Sequence, residues 1–438
     1  MVMGLGRFGG GVGVTRWLAE RGADVLVTDK EPAERLEGSV AQIRDLVRAG
    51  RVELRLGEHR VSDFTTADLV VVNPAVPRPW DDRFVRSAQA AGVELTTEIG
   101  LAARAIGRDR VVGVTGSVGK STTCAMIDHT LRACGVDSVL GGNIGGSLLE
   151  EAGRIGRKTV VVLEVSSAML HWLGMESWSP RVAVVTNLEP NHLDWHGSAA
   201  HYRESKQRIL AHQERWDAAV LGAGVADWPT GAAVERVVVG ADEGVPGCLV
   251  PGVHNAWNAR VAVVAARLAA ARIAGVSPRE SALQVAVRGF PGLPHRLRLV
   301  HEAGGVRFYD DSKSTVPRAS VLAVDAIEHT LGPGTVHLIC GGYDKGADLS
   351  EISGLAARAA GLYTIGATGD AIAGGAGGRA IRCGTLDVAV TEAVARAREG
   401  QAVVLSPGCA SWDQFEHFEA RGRAFEDFCR RATQGATR

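Results

Sequence analysis

The sequence lacks the marks of a secreted, membrane-spanning or nucleic-acid-binding chain. Its seven cysteines, at positions 124, 134, 248, 340, 383, 409 and 429, are odd in number and scattered. No C-x-x-C pair is present to make a metal knuckle or a redox couple, which fits a reducing compartment. Neither sign of charge is in excess, with Lys+Arg 48 against Asp+Glu 49. No global field therefore draws nucleic acid or an acidic membrane, and any anion must be caught locally. No apolar run approaches the roughly 20 residues that cross a bilayer. Position 1 leads straight into a glycine turn, so the expectation is a soluble, cytoplasmic chain with no signal peptide and no membrane insertion. Internal repeats, heptad arrays and a long disordered tail are also missing. What remains is a chain of 438 residues, 46% hydrophobic and 22% charged, long enough for roughly two to four domains with several cores.

The most informative stretch is Val111-Val-Gly-Val-Thr-Gly-Ser-Val-Gly-Lys-Ser-Thr-Thr123. A β-branched run feeds a loop carrying Gly113, Gly116 and Gly119, and Lys120-Ser121 open an apolar helix. Such a loop turns backbone N–H groups inward on phosphate oxygens, and the helix N-terminus adds its partial positive charge. Lys120 can reach the outer phosphates and Ser121 can ligate Mg²⁺, so Thr115, Gly116, Ser117, Gly119, Lys120, Ser121 and Thr122 read as an ATP or GTP site. The spacing departs from G-x-x-x-x-G-K-[ST], because Val114 stands where the first glycine belongs.

Upstream, Gly4-Leu-Gly-Arg-Phe-Gly9 precedes a helical stretch and then the strand Asp24–Thr28, which delivers Asp29. This is a dinucleotide-type turn with an acidic residue for a ribose hydroxyl. NAD, a UDP-linked ligand and mere strand–helix packing are all compatible with it. The strand expected before Gly4 has only Met1-Val2-Met3 to draw on. A second strand, Ala67–Val72, ends in Asn73-Pro-Ala-Val-Pro77, where prolines forbid helix and leave the backbone open to a ligand.

In the middle of the chain, Gly141–Gly145 is a tight turn and Thr159–Leu163 a buried strand carrying Glu164 to its C-terminal end. Ligands of open α/β sheets bind at that edge. Glu164 beside a phosphate loop is a candidate Mg²⁺ ligand, against a bland reading as a capping or solvated glutamate. The run Val182–Thr186 brings His192 and Asp194 to the same edge. Lys206 falls on a helix expected over 201–212, where a solvated lysine is the bland reading. The polar segment Gly252–Asn258 precedes an alanine-rich helix expected over 259–271, as base contacts or as a cap. Pro291–Arg296 punctuates the chain as a hinge. Beyond it, strands at 305–309, 335–340, 362–365 and 402–405 alternate with helices. Asp310–Thr315, Gly341–Lys345 and Ser406–Asp413 would form a ligand-facing rim, and Gly374–Gly378 a flexible loop.

Taken in order, these segments resemble the Mur ligases, ATP-dependent amide-forming enzymes of bacterial cell-wall synthesis, along essentially the whole chain. The family-wide likeness lies in Thr115–Ser121, Glu164-Val-Ser-Ser167, Asn187–His192, His254-Asn-Ala-Trp-Asn258, Leu293-Pro-His-Arg296 and Asp311-Ser-Lys313. Gly341–Asp348, Ser406–Phe415 and Phe418–Gly422 are similar to the glutamate-adding branch. The resemblance implies an α/β protein of three domains. These are a Rossmann-like UDP-substrate domain (1–105), a central P-loop ATPase-type parallel sheet (106–294) and a Rossmann-like C-terminal domain for amino acid and ATP (295–438).

It further implies that Arg7, Phe8, Asp29, Lys30 and Asn73 meet the uridine nucleotide, and that Asn143 and His192 meet the muramoyl-alanine end. Asn258, Arg296 and Asp311 would serve ATP, and Thr315, Lys345, Ser411 and Phe418 would hold glutamate. Lys206 matches a lysine carbamylated in many family members, a Mg²⁺ ligand alongside Ser121, Glu164 and His192. The implied catalytic set is Lys120, Glu164, His192 and Lys206, in a monomer that joins glutamate to UDP-N-acetylmuramoyl-L-alanine through an acyl phosphate.

Five positions depart from the family pattern: Val118 for asparagine, Ala168-Met169 for an aromatic–glutamine pair, Val316 for a polar residue and Trp412 for leucine, phenylalanine or tyrosine. Trp412 lies near the amino-acid segment, and its bulky indole carries an N–H that needs a partner, which leaves open D- or L-glutamate as acceptor. The competing classes are a folylpolyglutamate-type ligase, an NAD-dependent dehydrogenase built on Gly4–Gly9, and a non-catalytic nucleotide-binding protein. The dehydrogenase reading leaves Lys120 and Glu164 without a role.

Overall fold

A computed structural model describes residues 1–434 except Phe8, Gly145 and Pro190, so the expectation for Phe8 lies outside the described residues. The chain forms two compact units, Met1–Glu243 with Arg260–Val287, and Gly244–Ala259 with Arg288–Arg438. No described helix is long and apolar enough to cross a membrane.

The first unit holds two sheets. In the first, β1 (Val2–Met3), β2 (Val25–Asp29), β3 (Val52–Leu56), β4 (Leu69–Val72) and β5 (Glu94–Thr96) lie in the order β3-β2-β1-β4-β5, all parallel. The two-residue β1 is central. Val2 pairs with Val27 and Val71, and Met3 with Thr28 and Val72. A strand this short persists because it is bonded on both edges and buried on both faces. Helices enter with side-chain caps: Asp82 accepts from the amides of Phe84 and Val85, and Thr97 from that of Gly100.

The second sheet comprises β6 (Val111–Thr115), β7 (Ser138–Gly142), β8 (Val160–Glu164), β9 (Val182–Val185), β10 (Ala218–Gly222) and β11 (Glu235–Val239). Their order is β11-β10-β9-β6-β8-β7, again all parallel. The valine-rich β6, β8 and β9 are wholly buried, as expected for strands covered on both faces by helices. β6 lies between β8 and β9, so the loops leaving these three strands open side by side at one edge, where the strand order switches direction. One apolar core runs through both sheets, from Val2, Leu5 and Val27 to Val161, Leu163 and Val185.

The second unit contains β12 (Arg298–Ala303), β13 (Val306–Asp310), β14 (Val336–Gly341), β15 (Gly361–Ile365), β16 (Ala380–Gly384) and β17 (Ala402–Leu405), in the order β12-β13-β17-β14-β15-β16. Only the β12–β13 edge pair is antiparallel.

Element limits differ from the sequence reading in two places that matter. The polar segment before the alanine-rich run is itself helical, since the helix begins at Val253 and continues to Ala269. Gly374 and Gly375 end a helix that starts at Gly369, instead of lying in a loop. In the first, burial of Asn255 and Asn258 overrides a local composition poor in helix formers.

Candidate functional site

Strand β6 ends at Thr115 and the helix Lys120–Ala133 begins five residues later, with Gly119 at its N-cap in the left-handed region (φ 80°). The loop between them passes so close to β9 that a Cβ on Gly116 would stand 1.9 Å from Thr186 Oγ1, so only glycine fits there. Its amides point at one acceptor. The N–H groups of Ser117 and Val118 both donate to Asn187 Oδ1 at 3.0 Å, and Asn187 Nδ2 donates to the Val118 carbonyl at 3.1 Å. The Asn187 carboxamide oxygen thus occupies the concavity formed by these two amides. Ser117 Oγ lies 2.9 Å from Tyr202 Oη, and Lys120 Nζ donates to the Ser117 carbonyl at 3.0 Å.

Directly beneath the loop, Lys206 is buried at 1% exposure on the helix Ala199–Ala211. Its Nζ donates to the Gly116 carbonyl at 2.8 Å and to Thr115 Oγ1 at 3.4 Å, and lies 4.8 Å from the Tyr202 ring centroid. Burial, reinforced by Lys120 and opposed by Glu164, brings this amine down to about 7. The bland reading of Lys206 as a solvated lysine is therefore excluded. Glu164 ends β8 and pairs in register with Val114. Its Oε1 accepts from Asn143 Nδ2 at 2.8 Å, whereas Oε2 is buried with no hydrogen-bond partner among the described residues. An orphaned carboxylate oxygen costs free energy unless a cation or donor satisfies it. His192 is exposed, at φ 51°, as the N-cap of the short helix Leu193–His196, on the segment whose Asn187 and Glu189 hold Ser117. No group of three or more His, Cys, Asp or Glu among the described residues is placed to hold a metal ion.

The amino-terminal turn borders a cleft of about 370 Å³ that reaches from Gly4, Gly6 and Arg7 past Asn73 to Asn143. Asp29 staples this turn, accepting from the amides of Gly6 (3.0 Å) and Glu31 (2.9 Å). Lys30 is exposed, with Nζ 5.9 Å from the Phe84 ring.

In the second unit, Asp311 is held by the Leu297 amide (3.1 Å) and Ser406 Oγ (2.7 Å). Burial pushes it up to about 7, against the pull of the Ser406 and Leu297 hydrogen bonds and, more weakly, of exposed Arg296. Asn258 is buried, its Nδ2 3.4 Å from Asn255 Oδ1. Lys345 Nζ lies 4.6 Å from the Trp412 ring, which is 60% exposed. Ser411 is buried, Thr315 half-buried, and the Phe418 ring meets His295 at 5.9 Å and Lys313 Nζ at 5.4 Å.

Comparison with known proteins is decisive at this point. The Mur ligase MurD-like N-terminal domain matches residues 1–97, the Mur ligase middle domain 114–245 and the Mur ligase glutamate ligase domain 295–409. The chain belongs to the Mur ligase family. Full-length relatives include the UDP-N-acetylmuramoylalanine–D-glutamate ligases of Desulfatibacillum aliphaticivorans and Ruegeria pomeroyi. The first is 32% identical over 96% of this chain and 95% of the relative, and the second 36% identical over 97% and 95%. The fold is shared with the UDP-N-acetylmuramate–alanine ligase of Thermotoga maritima at a TM-score of 0.54 and 17% identity, covering 98% of this chain and 99% of that one. Members of this family are ATP-dependent, amide-forming ligases.

Three residues of this Mur ligase gain a role only from the structure: Asn187 and Arg421 stand in the sequence only as members of the Asn187–His192 and Phe418–Gly422 segments, and Tyr202 is unmarked. Asn187 and Tyr202 grip the phosphate loop, and only their place after β9 and on the Lys206 helix signals it. Arg421 is the third. Its guanidinium is 1% exposed and donates from Nε to Ser312 Oγ, from Nη1 to the Ala410 carbonyl, and from Nη2 to the carbonyls of Ser312 and Cys409, all at 2.9–3.1 Å. It thereby ties the 310–315 segment to the 409–413 segment. Arg421→Ala is expected to destabilise the chain by about 3–5 kcal/mol, because it strands several buried acceptors. Arg421→Lys would recover only part, since an ammonium cannot span that fork. Denaturant unfolding of the two variants checks this, and a loss below about 1 kcal/mol for alanine would contradict it.

Proposed function

We propose that this Mur ligase joins D-glutamate to UDP-N-acetylmuramoyl-L-alanine with ATP, a step of peptidoglycan precursor synthesis, as a cytoplasmic monomer of three working domains, 1–105, 106–294 and 295–438. The relatives' names support the substrates. The observation that carries the chemistry is the juxtaposition of Lys206 and Glu164 at the Gly116–Gly119 loop, with one glutamate oxygen left unpaired among the described residues.

The chemical problem is to give a carboxylate a leaving group in water. In this reading the alanyl carboxylate attacks the γ-phosphorus of ATP, ADP leaves, the glutamate amine adds to the resulting acyl phosphate, and phosphate departs as the amide forms. Two anions must first approach each other, so positioning and charge neutralisation dominate. The loop amides of Ser117 and Val118 exchange Asn187 for phosphate oxygens, and Lys120 turns from the Ser117 carbonyl to the outer phosphates. Thr115, Gly116, Gly119, Ser121 and Thr122 complete the cradle, while Asn258, Arg296 and Asp311 serve the nucleotide.

Mg²⁺ fits the donors present: Glu164 has an orphaned oxygen, Ser121 opens the helix, and a near-neutral Lys206 can take up CO₂ to become a carbamate, with His192 as a further ligand. When bound it would neutralise phosphate charge. Arg7, Phe8, Asp29, Lys30 and Asn73 hold the uridine nucleotide, and Asn143 and His192 hold the muramoyl-alanine end. Thr315, Lys345, Ser411 and Phe418 hold glutamate.

The test is to mix protein, ATP, Mg²⁺ and UDP-N-acetylmuramoyl-L-alanine with each glutamate enantiomer, and to record phosphate release and product mass. Phosphate release with a one-glutamate product from the D-enantiomer is expected. Product from the L-enantiomer alone would change the acceptor, and no phosphate release with either would remove the ligase reading.

A further inference from the structure

Glu98 opens the helix Glu98–Ile106 but does not cap it, because Thr97 Oγ1 already accepts the Gly100 amide at 3.2 Å. Its carboxyl instead borders the 370 Å³ cleft. Oε1 accepts from Ser147 Oγ at 2.5 Å, a residue that also lines the cleft but follows β7 of the other sheet in the same unit. Glu98 is half-buried and lines the cleft together with Ser147. Burial raises this carboxyl above its ordinary value, and the Ser147 hydroxyl pulls it only partly back. No cation of the described residues offsets the burial. A carboxyl in that setting repels a diphosphate but is a strong acceptor for a neutral donor. The cleft runs from the Gly4–Gly6 turn to Asn143, whose amide touches Glu164. An elongated nucleotide-sugar would then lay its diphosphate on the glycine turn and carry its sugar past Glu98.

We infer that Glu98, held by Ser147, is a specificity residue that accepts a hydrogen bond from a hydroxyl or amide N–H of the sugar of the nucleotide-sugar substrate, and makes no contact with the nucleotide itself. This rests on the ligase reading above. The experiment is calorimetric titration of the full chain, without ATP or glutamate, with UDP and separately with UDP-N-acetylmuramoyl-L-alanine. For Glu98→Ala the sugar-bearing ligand should bind about tenfold more weakly while UDP is unaffected. Glu98→Gln keeps a carbonyl acceptor and should stay within about threefold of the parent for both. In steady state the alanine variant should raise KM for the nucleotide-sugar with kcat unchanged, a split that a purely structural tie would not produce. Should Glu98→Ala fail to fold, Glu98→Asp withdraws the acceptor by one methylene and should show the same selective loss. Equal affinities of variant and parent for both ligands, or equal weakening of both, would overturn the inference. A parent chain that binds neither ligand would instead overturn the ligase reading beneath it.

Discussion

Replacing Lys206 by methionine is expected to abolish turnover and at the same time make the unliganded protein more stable at neutral pH. The lysine is buried under the phosphate loop, and desolvation brings it from an ordinary 10.5 to about 7. Between those values the unfolded chain binds a proton that the folded chain does not. Folding stability is therefore lost as pH falls from about 10.5 through about 7, and levels off below. Methionine fills similar volume without a charge to desolvate. In CO₂-free buffer, unfolding midpoints should rise with pH over that window for the parent and stay flatter for Lys206→Met. The neutral amine above about 7 is also the form that adds CO₂. Bicarbonate should therefore raise turnover of the parent, and short-chain carboxylic acids should restore part of the activity of a small-residue variant such as Lys206→Ala. If Lys206→Met retained activity within about tenfold of the parent, the lysine would be a structural post for the Gly116 carbonyl and nothing more.

Lys120→Ala should cost about 10²–10³-fold or more in kcat, the range associated with removing one preorganised group from a developing anionic charge. It should also leave a second signature. Lys120 contributes to holding the Lys206 amine down, so its removal should move the pH window of the Lys206 effect upward. Unfolding midpoints against pH for the single and double variants read that shift. Full ATP-dependent product formation by Lys120→Ala would deny the loop its phosphate-binding role. An unmoved pH window would place the two amines too far apart to interact.

Much of this was legible in the chain because it is written in local patterns. The valine runs of β6, β8 and β9 state buried parallel strands, and the glycines of the 113–119 loop state a phosphate turn feeding a helix. The very short β1 could not be judged from three residues, since its stability comes from pairing on both edges with strands far along the chain. The helix starting at Val253 begins before the alanine-rich run for a related reason: burial of Asn255 and Asn258 holds polar residues in a helix that their composition does not ask for.

The contacts of Asn187, Tyr202 and Arg421 depend on distance in space: the motifs that contain Asn187 and Arg421 do not say what they touch, and Tyr202 lies in no motif. Each is a common polar residue until the fold sets it against a loop 11 to more than 100 positions away. Residue order alone determined the α/β class, the strand, glycine loop and helix around Thr115–Lys120, the edge at which Glu164 and His192 emerge and the family likeness. These follow from backbone propensities and short motifs that need only near neighbours. Tertiary structure alone decided that Lys206 is a buried amine with a shifted proton affinity, that one oxygen of Glu164 lacks a partner among the described residues and that Glu98 lines a cleft. Desolvation and hydrogen-bond satisfaction depend on what surrounds a group in space, and that is set only once distant segments pack together.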